Sequence, residues 1–328
     1  MSSFANSYFK YVNHLEQIND AALQDPVRMI EEVEDAYHNN LHNIARLIAR
    51  RKECRIVMLS GPSSSGKTTT AHMLQRELLE FGEESVIISM DDFYLGAGQA
   101  PLLPDGTHDY ESVEALDVEK AKQCLGDLLR LGRCDMPVFD FSIRRPADYT
   151  RPVELKENML AIIEGIHALN PVFTSHLPAD RLMKIYTSVK QGIKDANGVV
   201  ISPMDLRLVR RIVRDHQFRS TSPERTLSMW PNVVAGENKY IRPYRHSSDV
   251  TVNSIHIYEM GVLRTYAIPL LRAIAPDSPY FQKARDLEAR LMRFEPIDEA
   301  LVPADSMLRE FLGSSESEPE KPVISCIE

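Results

Sequence analysis

The stretch Arg55 to Thr70, RIVMLSGPSSSGKTTT, limits what this chain can fold into more than any other. An apolar run, Ile56 to Leu59, ends in Gly61-x-x-x-x-Gly66-Lys67-Thr68, and apolar Ala71, Leu74, Leu78 and Phe81 follow at helical spacing. A buried parallel strand, a glycine-bearing loop and a helix, in that order, make a phosphate-binding loop. Glycines let backbone N–H groups turn inward around phosphate oxygens, Lys67 adds a mobile positive charge, and Thr68 offers a hydroxyl to Mg²⁺. The candidate nucleotide-binding residues are therefore Gly61, Ser63, Ser64, Ser65, Gly66, Lys67, Thr68 and Thr69, and the expected fold class is α/β with a mostly parallel sheet flanked by helices.

Length and composition set the outer limits. The chain has 328 residues, 43% hydrophobic and 26% charged, enough for one large α/β domain or two smaller ones. A net charge of −9 works against broad binding to nucleic acid or to anionic membranes, so neither is expected as a partner. Cys54, Cys124, Cys134 and Cys326 form neither a C-x-x-C pair nor a zinc spacing, which fits a reducing cytoplasm. The N-terminus lacks the apolar run of a signal peptide, and no stretch approaches the ~20 apolar residues of a membrane span.

Residues 1 to about 52 read as a helical lead with apolar stripes at Val27, Ile30 and Val33 and at Leu41, Ile44, Leu47 and Ile48. His38 and His42 stand four apart without a third ligand, so a solvated helix face is expected there. A second strand, Glu84 to Met90, delivers Asp91 and Asp92 at its carboxyl end, where doubly wound sheets place their ligands. A carboxylate there can orient a hydroxyl attacking a γ-phosphate or take its proton. Ser112 to Leu131 reads as helix, Met136 to Phe141 as strand, and Ser142 to Pro152 as a basic loop with Arg144, Arg145 and Arg151. Leu160 to Glu164 is a third core strand, and Glu164 is placed like the acid that holds Mg²⁺ or its water beside such a loop. His167 reads as structural. Leu182 to Val189 and Asp249 to Ile255 complete the strands.

In Asp205 to Arg219, Leu206, Val209 and Val213 form one stripe and Arg207, Arg210, Arg211 and Arg214 crowd the opposite side. This predicts a lid over about residues 203–235, one face packed and the other cationic, with arginines that neutralise charge on a transferring phosphoryl group. Ser222-Pro223-Glu224 should start a new helix that Pro231 stops. Amphipathic helices to about Phe294, a short helix over Pro303–Leu312 and a disordered tail over 314–328 end the chain.

Taken together, these motifs resemble the uridine kinase and phosphoribulokinase family, and more narrowly bacterial uridine-kinase-like nucleoside kinases. The segments that carry the likeness are GPSSSGKTTTA at Gly61, SMDDFY at Ser89, PDGTHDYESVEALD at Pro104, MPVFDF at Met136, IIEGIHALNP at Ile162, DLRLVRRIVRDHQFRS at Asp205, MWPNVVAGE at Met229 and VPADSMLREFLG at Val302. The resemblance implies a P-loop kinase domain over 53–313. It implies Asp91 as catalytic carboxylate, with Lys67, Arg214 and Arg219 acting on the ATP phosphates. It also places Tyr94 at the sugar and Glu111 and Arg211 at ribose hydroxyls. Phe139, Arg144 and Met229 stand where uridine–cytidine kinases carry Tyr, His and Gln, so the groups that read a pyrimidine edge are replaced.

The expected activity is Mg²⁺-dependent transfer of the ATP γ-phosphate to a hydroxyl of a nucleoside or related small polyol. Thr68 and Glu164 would serve the metal, and Phe139 and Arg144 would line the acceptor side. A kinase for a non-nucleoside alcohol or sugar, and a nucleotide-binding regulatory module without turnover, are the rival readings. Homo-oligomer formation stays open.

Overall fold

The computed structural model describes residues 13–313; the expected disordered tail at 314–328 and Cys326 lie outside them. Its centre is a parallel sheet. The first strand met in the chain, β1 (Asn13–His14), is not part of it; the central strands are β2 (Ile56–Ser60), β3 (Glu84–Ser89), β6 (Met159–Glu164), β7 (Leu182–Ser188) and β10 (Val250–Asn253), ordered β10-β7-β2-β6-β3. All five residues of β2 are buried, as a strand covered on both faces requires. Val57 and Leu59 point to one core with Leu74 and Leu78, while Ile56 and Met58 point to a second with Leu125 and Phe173.

Helices α1 (Leu15–Gln24), α2 (Pro26–Arg50) and α3 (Lys67–Glu80) lie on the first face. Asp25 caps α2 by accepting from the Arg28 amide at 3.1 Å, and Pro26 opens it. Its stripe of Ile30, Tyr37, Leu41, Ile44 and Ile48 is buried, whereas Val27 and Leu47 stay exposed. From Leu15 on, the helical lead thus shares the core of the kinase-like region. Tyr37 Oη pairs with Thr70 Oγ1 at 2.7 Å and ties α2 to the helix behind the glycine loop.

On the second face sit α4 (Val118–Leu131), α5 (Pro171–Thr174) and a hairpin of β4 (Arg133–Asp140) and β5 (Arg145–Glu154). The hairpin corrects the expected basic loop at Ser142–Pro152. Pro146, Pro152 and the charged residues erase apolar alternation in β5, an exposed strand paired on one side only. A second small sheet, β1 with β8 (Ile193–Asp195) and β9 (Gly198–Ile201), was also not read from the sequence, although Asn197-Gly198 is a hairpin signal.

Two more expectations change in the C-terminal half. Helix α7 (Pro223–Gly236) runs through Pro231 and continues into a wide turn over Glu237–Ile241, because Trp230 and Val233 are buried on either side of the proline and hold the helix in place. Helix α6 (Pro203–Arg219), capped by reciprocal Ser202 and Asp205 bonds, is not packed on one face alone. Arg207, Arg210, Arg211 and Arg214 are all buried, so the cationic face meets protein instead of water. Helices α8 (Glu259–Arg272) and α9 (Phe281–Leu291) pack behind it. Of Pro303–Leu312 only α10 (Arg309–Leu312) is helical.

Candidate active site

The glycine loop leaves the carboxyl end of β2, beside the point where strand order reverses. A side chain on Gly61 would put its Cβ 2.1 Å from the Thr187 carbonyl oxygen, so only glycine lets the loop pass β7. Gly66, with φ 82°, turns the chain into α3 in the left-handed region that favours glycine. Ser64 takes a φ of 58° in the same loop. Ser63, Ser64 and Ser65 lead into Lys67, whose Nζ donates to the Pro62 carbonyl at 3.3 Å. Thr68 is exposed at the helix start, and Thr69 follows half-buried.

Strand register brings the acids to this loop. Ser89 of β3 lies opposite Glu164 of β6, which in turn lies opposite Leu59 of β2. Ser89 Oγ donates to Glu164 Oε1 at 2.8 Å and also caps the tight turn that starts at Met90 and carries Asp91. Burial and then the Asp91 charge push Glu164 up to about 7, against the pull of Lys67. Desolvation raises Asp91 as well, opposed by Lys67, Arg219 and Arg214. Lys67 is depressed by desolvation, with Glu164, Glu310 and Asp91 working the other way. Two carboxyl groups and one ammonium therefore share a desolvated spot at the loop. Asp92 has a different task, accepting from the Phe139 amide at 3.2 Å and facing Arg151 at 3.8 Å, which anchors the hairpin.

The Arg-rich helix braces the loop from the opposite side. Arg207 donates to the Ser63 carbonyl at 3.1 Å and pairs with Glu237 at 2.6 Å. Arg211 reaches Ser63 Oγ at 2.7 Å and Asp215 at 3.1 Å. Arg214 and Arg219 both meet Asp215, at 2.8 and 3.1 Å. Burial alone would raise Asp215, but the charges of Arg214, Arg211 and Arg219 hold it below the usual carboxylate range. Arg210, fully buried, forks onto Glu259 at 2.6 and 2.9 Å and also donates to the carbonyls of Ser254 and Ser64. This is the pairing of a fixed brace.

Next to the hairpin, Tyr94 and Phe139 meet edge to face with ring centres 6.0 Å apart, and Phe141 extends the patch. Arg144 sits at the hairpin turn with φ 55°, its carbonyl accepting from the Ala97 amide at 2.9 Å. Desolvation pushes Glu111 up to about 7, against the nearby Arg211 charge. Its side chain packs onto Gly236, where a Cβ would come within 2.3 Å. Tyr240 donates to Asp109 at 2.8 Å and meets the ring of His167 edge-on at 6.2 Å. His167 is buried and pushed down to about 4 by that burial. Asp109, Tyr240 and Glu310 escaped the sequence reading because each gains its neighbours through long-range packing. His38 and His42 both face Glu77, and no cluster of three metal-ligating side chains occurs among the described residues.

Comparison with known proteins places the chain in a family. The sequence model described as "Phosphoribulokinase / Uridine kinase family" matches residues 56–260. The uridine kinase of Ureaplasma parvum serovar 3 is 24% identical over 198 residues, covering 60% of this chain and 86% of the relative. That of Bacillus pumilus is 25% identical over 198 residues, with 60% and 85% covered. Among solved structures, D-glycerate 3-kinase from Cryptococcus neoformans var. grubii aligns with a TM-score of 0.43 at 14% identity, over 62% of this chain and 89% of that one.

Proposed function

Since the chain belongs to the phosphoribulokinase/uridine kinase family and is a kinase, we propose that it transfers the γ-phosphate of ATP to a hydroxyl of a nucleoside or related small polyol. The observation that carries this reading is the register of β2, β6 and β3, which delivers Asp91 and Glu164 side by side at Lys67. Asp91 orients the acceptor hydroxyl and accepts its proton as the new O–P bond forms. Lys67 spreads charge over the γ-phosphoryl oxygens. Arg214 and Arg219 do the same from the far side, and Asp215 fixes where their guanidinium groups stand. The backbone of Gly61 to Thr69 holds the phosphates.

The donor set fits Mg²⁺. Crowded carboxyl groups with raised affinity for protons favour a divalent cation in the proton's place, and an ion that takes most of its ligands from phosphates and water needs no protein cage. Thr68 and Glu164 would hold it, and it would neutralise charge on the phosphate groups.

On the acceptor side Tyr94 packs against the sugar, and Glu111 with Arg211 binds its hydroxyls. Phe139, Arg144 and Met229 supply none of the hydroxyl, imidazole and amide groups expected at a pyrimidine edge. That difference favours, as a second reading, a sugar or other non-nucleoside alcohol. The free thiols of Cys54, Cys124 and Cys134 suit a cytoplasmic setting, and among the described residues no helix is long and apolar enough to cross a membrane. The test is a panel of nucleosides, sugars and sugar phosphates assayed for ADP release with Mg²⁺·ATP. Stimulation by uridine or cytidine above the sugars supports the first reading, stimulation by sugars alone supports the second, and no acceptor-dependent release rejects both.

A further inference from the structure

The amide of Thr69 should be free to meet an anion. Thr69 is the third residue of α3 after the Gly66 cap, and the first intrahelical bond of this helix runs from Thr70 N to Gly66 O. Such amides at the mouth of a glycine loop are where phosphate oxygens bind. Here a carboxylate stands in that place: Thr69 N and Thr69 Oγ1 both donate to Glu310 Oε2, at 3.3 and 3.2 Å. The contact spans 241 residues of sequence. Its charge also reaches Lys67 and Glu164.

Glu310 is held there by a firm turn. Met307, Leu308 and Phe311 are fully buried around it, and Arg309 pairs with Glu299 at 3.1 Å. Met307 packs over the loop itself, its Sδ 2.5 Å from where a Cβ on Gly66 would lie. The guanidinium of Arg210 lies 5.0 Å from the centre of the Phe311 ring, joining this segment to α6. A phosphate oxygen and the Glu310 carboxylate cannot share one N–H, and their like charges repel at this range.

We infer that Glu310 is an affinity-setting residue of the nucleotide site, a carboxylate that occupies the Thr69 phosphate-binding amide and must give way when a nucleotide binds. The inference rests on the reading of Gly61–Thr69 as a nucleotide cradle, and it extends the site to the C-terminal segment. A side chain that served only to cap α3 would stabilise the helix without opposing nucleotide.

Titration calorimetry of the full chain with Mg²⁺·ADP and Mg²⁺·ATP, alongside thermal unfolding, separates the two roles. Glu310→Gln keeps an oxygen near Thr69 but removes the charge, and Glu310→Ala removes both. Both variants should bind both nucleotides at least ~3-fold more tightly than the wild-type chain. Equal or weaker binding by Glu310→Gln overturns the inference, and a lower melting temperature with unchanged affinity identifies a helix cap only. Failure of the wild-type chain to bind either nucleotide would instead remove the reading on which the inference stands.

Discussion

Replacing Arg210 by Met probes whether α6 is a fixed brace or a loose lid. Arg210 and Glu259 have no exposed side-chain surface, and the guanidinium also serves the carbonyls of Ser254 and Ser64. Methionine removes one partner and strands the Glu259 carboxylate, which keeps the His256 amide at 3.0 Å. Breaking a buried pair in this way costs ~3–5 kcal/mol, because an uncompensated charge stays out of water. Urea unfolding followed by far-ultraviolet circular dichroism should show that loss for Arg210→Met. The double variant with Glu259→Gln should lose less than the sum of the single variants by ~1–3 kcal/mol. A surface ion pair contributes only about 0–1 kcal/mol. A loss below ~1 kcal/mol for Arg210→Met, with additive behaviour in the double variant, would refute the buried brace.

The same geometry makes two further predictions. Burial raises the Glu164 carboxyl from the ordinary 4.5 to about 7 in the folded state, so its contribution is fully present below pH 4.5 and is lost as pH rises through 7. Glu164→Gln should therefore gain stability relative to the wild-type chain between pH 5 and pH 8, read as a shift in the urea midpoint, while losing Mg²⁺·ATP turnover; a difference that does not change with pH would contradict the assigned environment. Tyr37→Phe, which removes the bond to Thr70 that ties α2 to the glycine-loop helix, should cost ~1 kcal/mol in the same unfolding assay, and no loss would leave that tie without weight.

What could be read in advance follows from how local each signal is. The apolar runs Ile56–Leu59 in β2, Val86–Ile88 in β3 and Met159–Ile163 in β6 are unbroken, so the central strands, and hence the place of Asp91 and Glu164 at the carboxyl edge of the sheet, were legible. Gly61 and Gly66 declared a loop by their spacing alone. The Arg-rich helix misled for a physical reason: arginines opposite an apolar stripe ordinarily face water, and only partners far away in sequence let them be buried. Glu259 is 49 residues from Arg210, and the Ser63 and Ser64 carbonyls are more than twice as far. In β5 the prolines and charges that keep an exposed strand from pairing further also hide the strand. Pro231 read as a stop because a missing N–H is visible in sequence while the burial of Trp230 and Val233 is not. Glu310 lies in the segment VPADSMLREFLG, but nothing local there announces its partner, and its position beside Thr69 arises only when the C-terminal segment packs across the loop.

Contacts on the proposed acceptor side were legible in part. Tyr94 and Phe139 do meet, and Glu111 and Arg211 are close enough for their charges to interact. Asp109 and Tyr240 complete that wall from segments 131 residues apart, a pairing no local pattern announces.

Phosphoryl transfer by Asp91→Asn tests the central claim most directly. The asparagine keeps the shape of the side chain and cannot take the acceptor's proton. With the best acceptor from the panel, the account predicts Mg²⁺·ATP binding close to that of the wild-type chain and a turnover lower by ~10²–10⁴-fold. Turnover within a few-fold of wild type, with binding intact, would contradict the assignment of Asp91 and with it the chemistry proposed for this site.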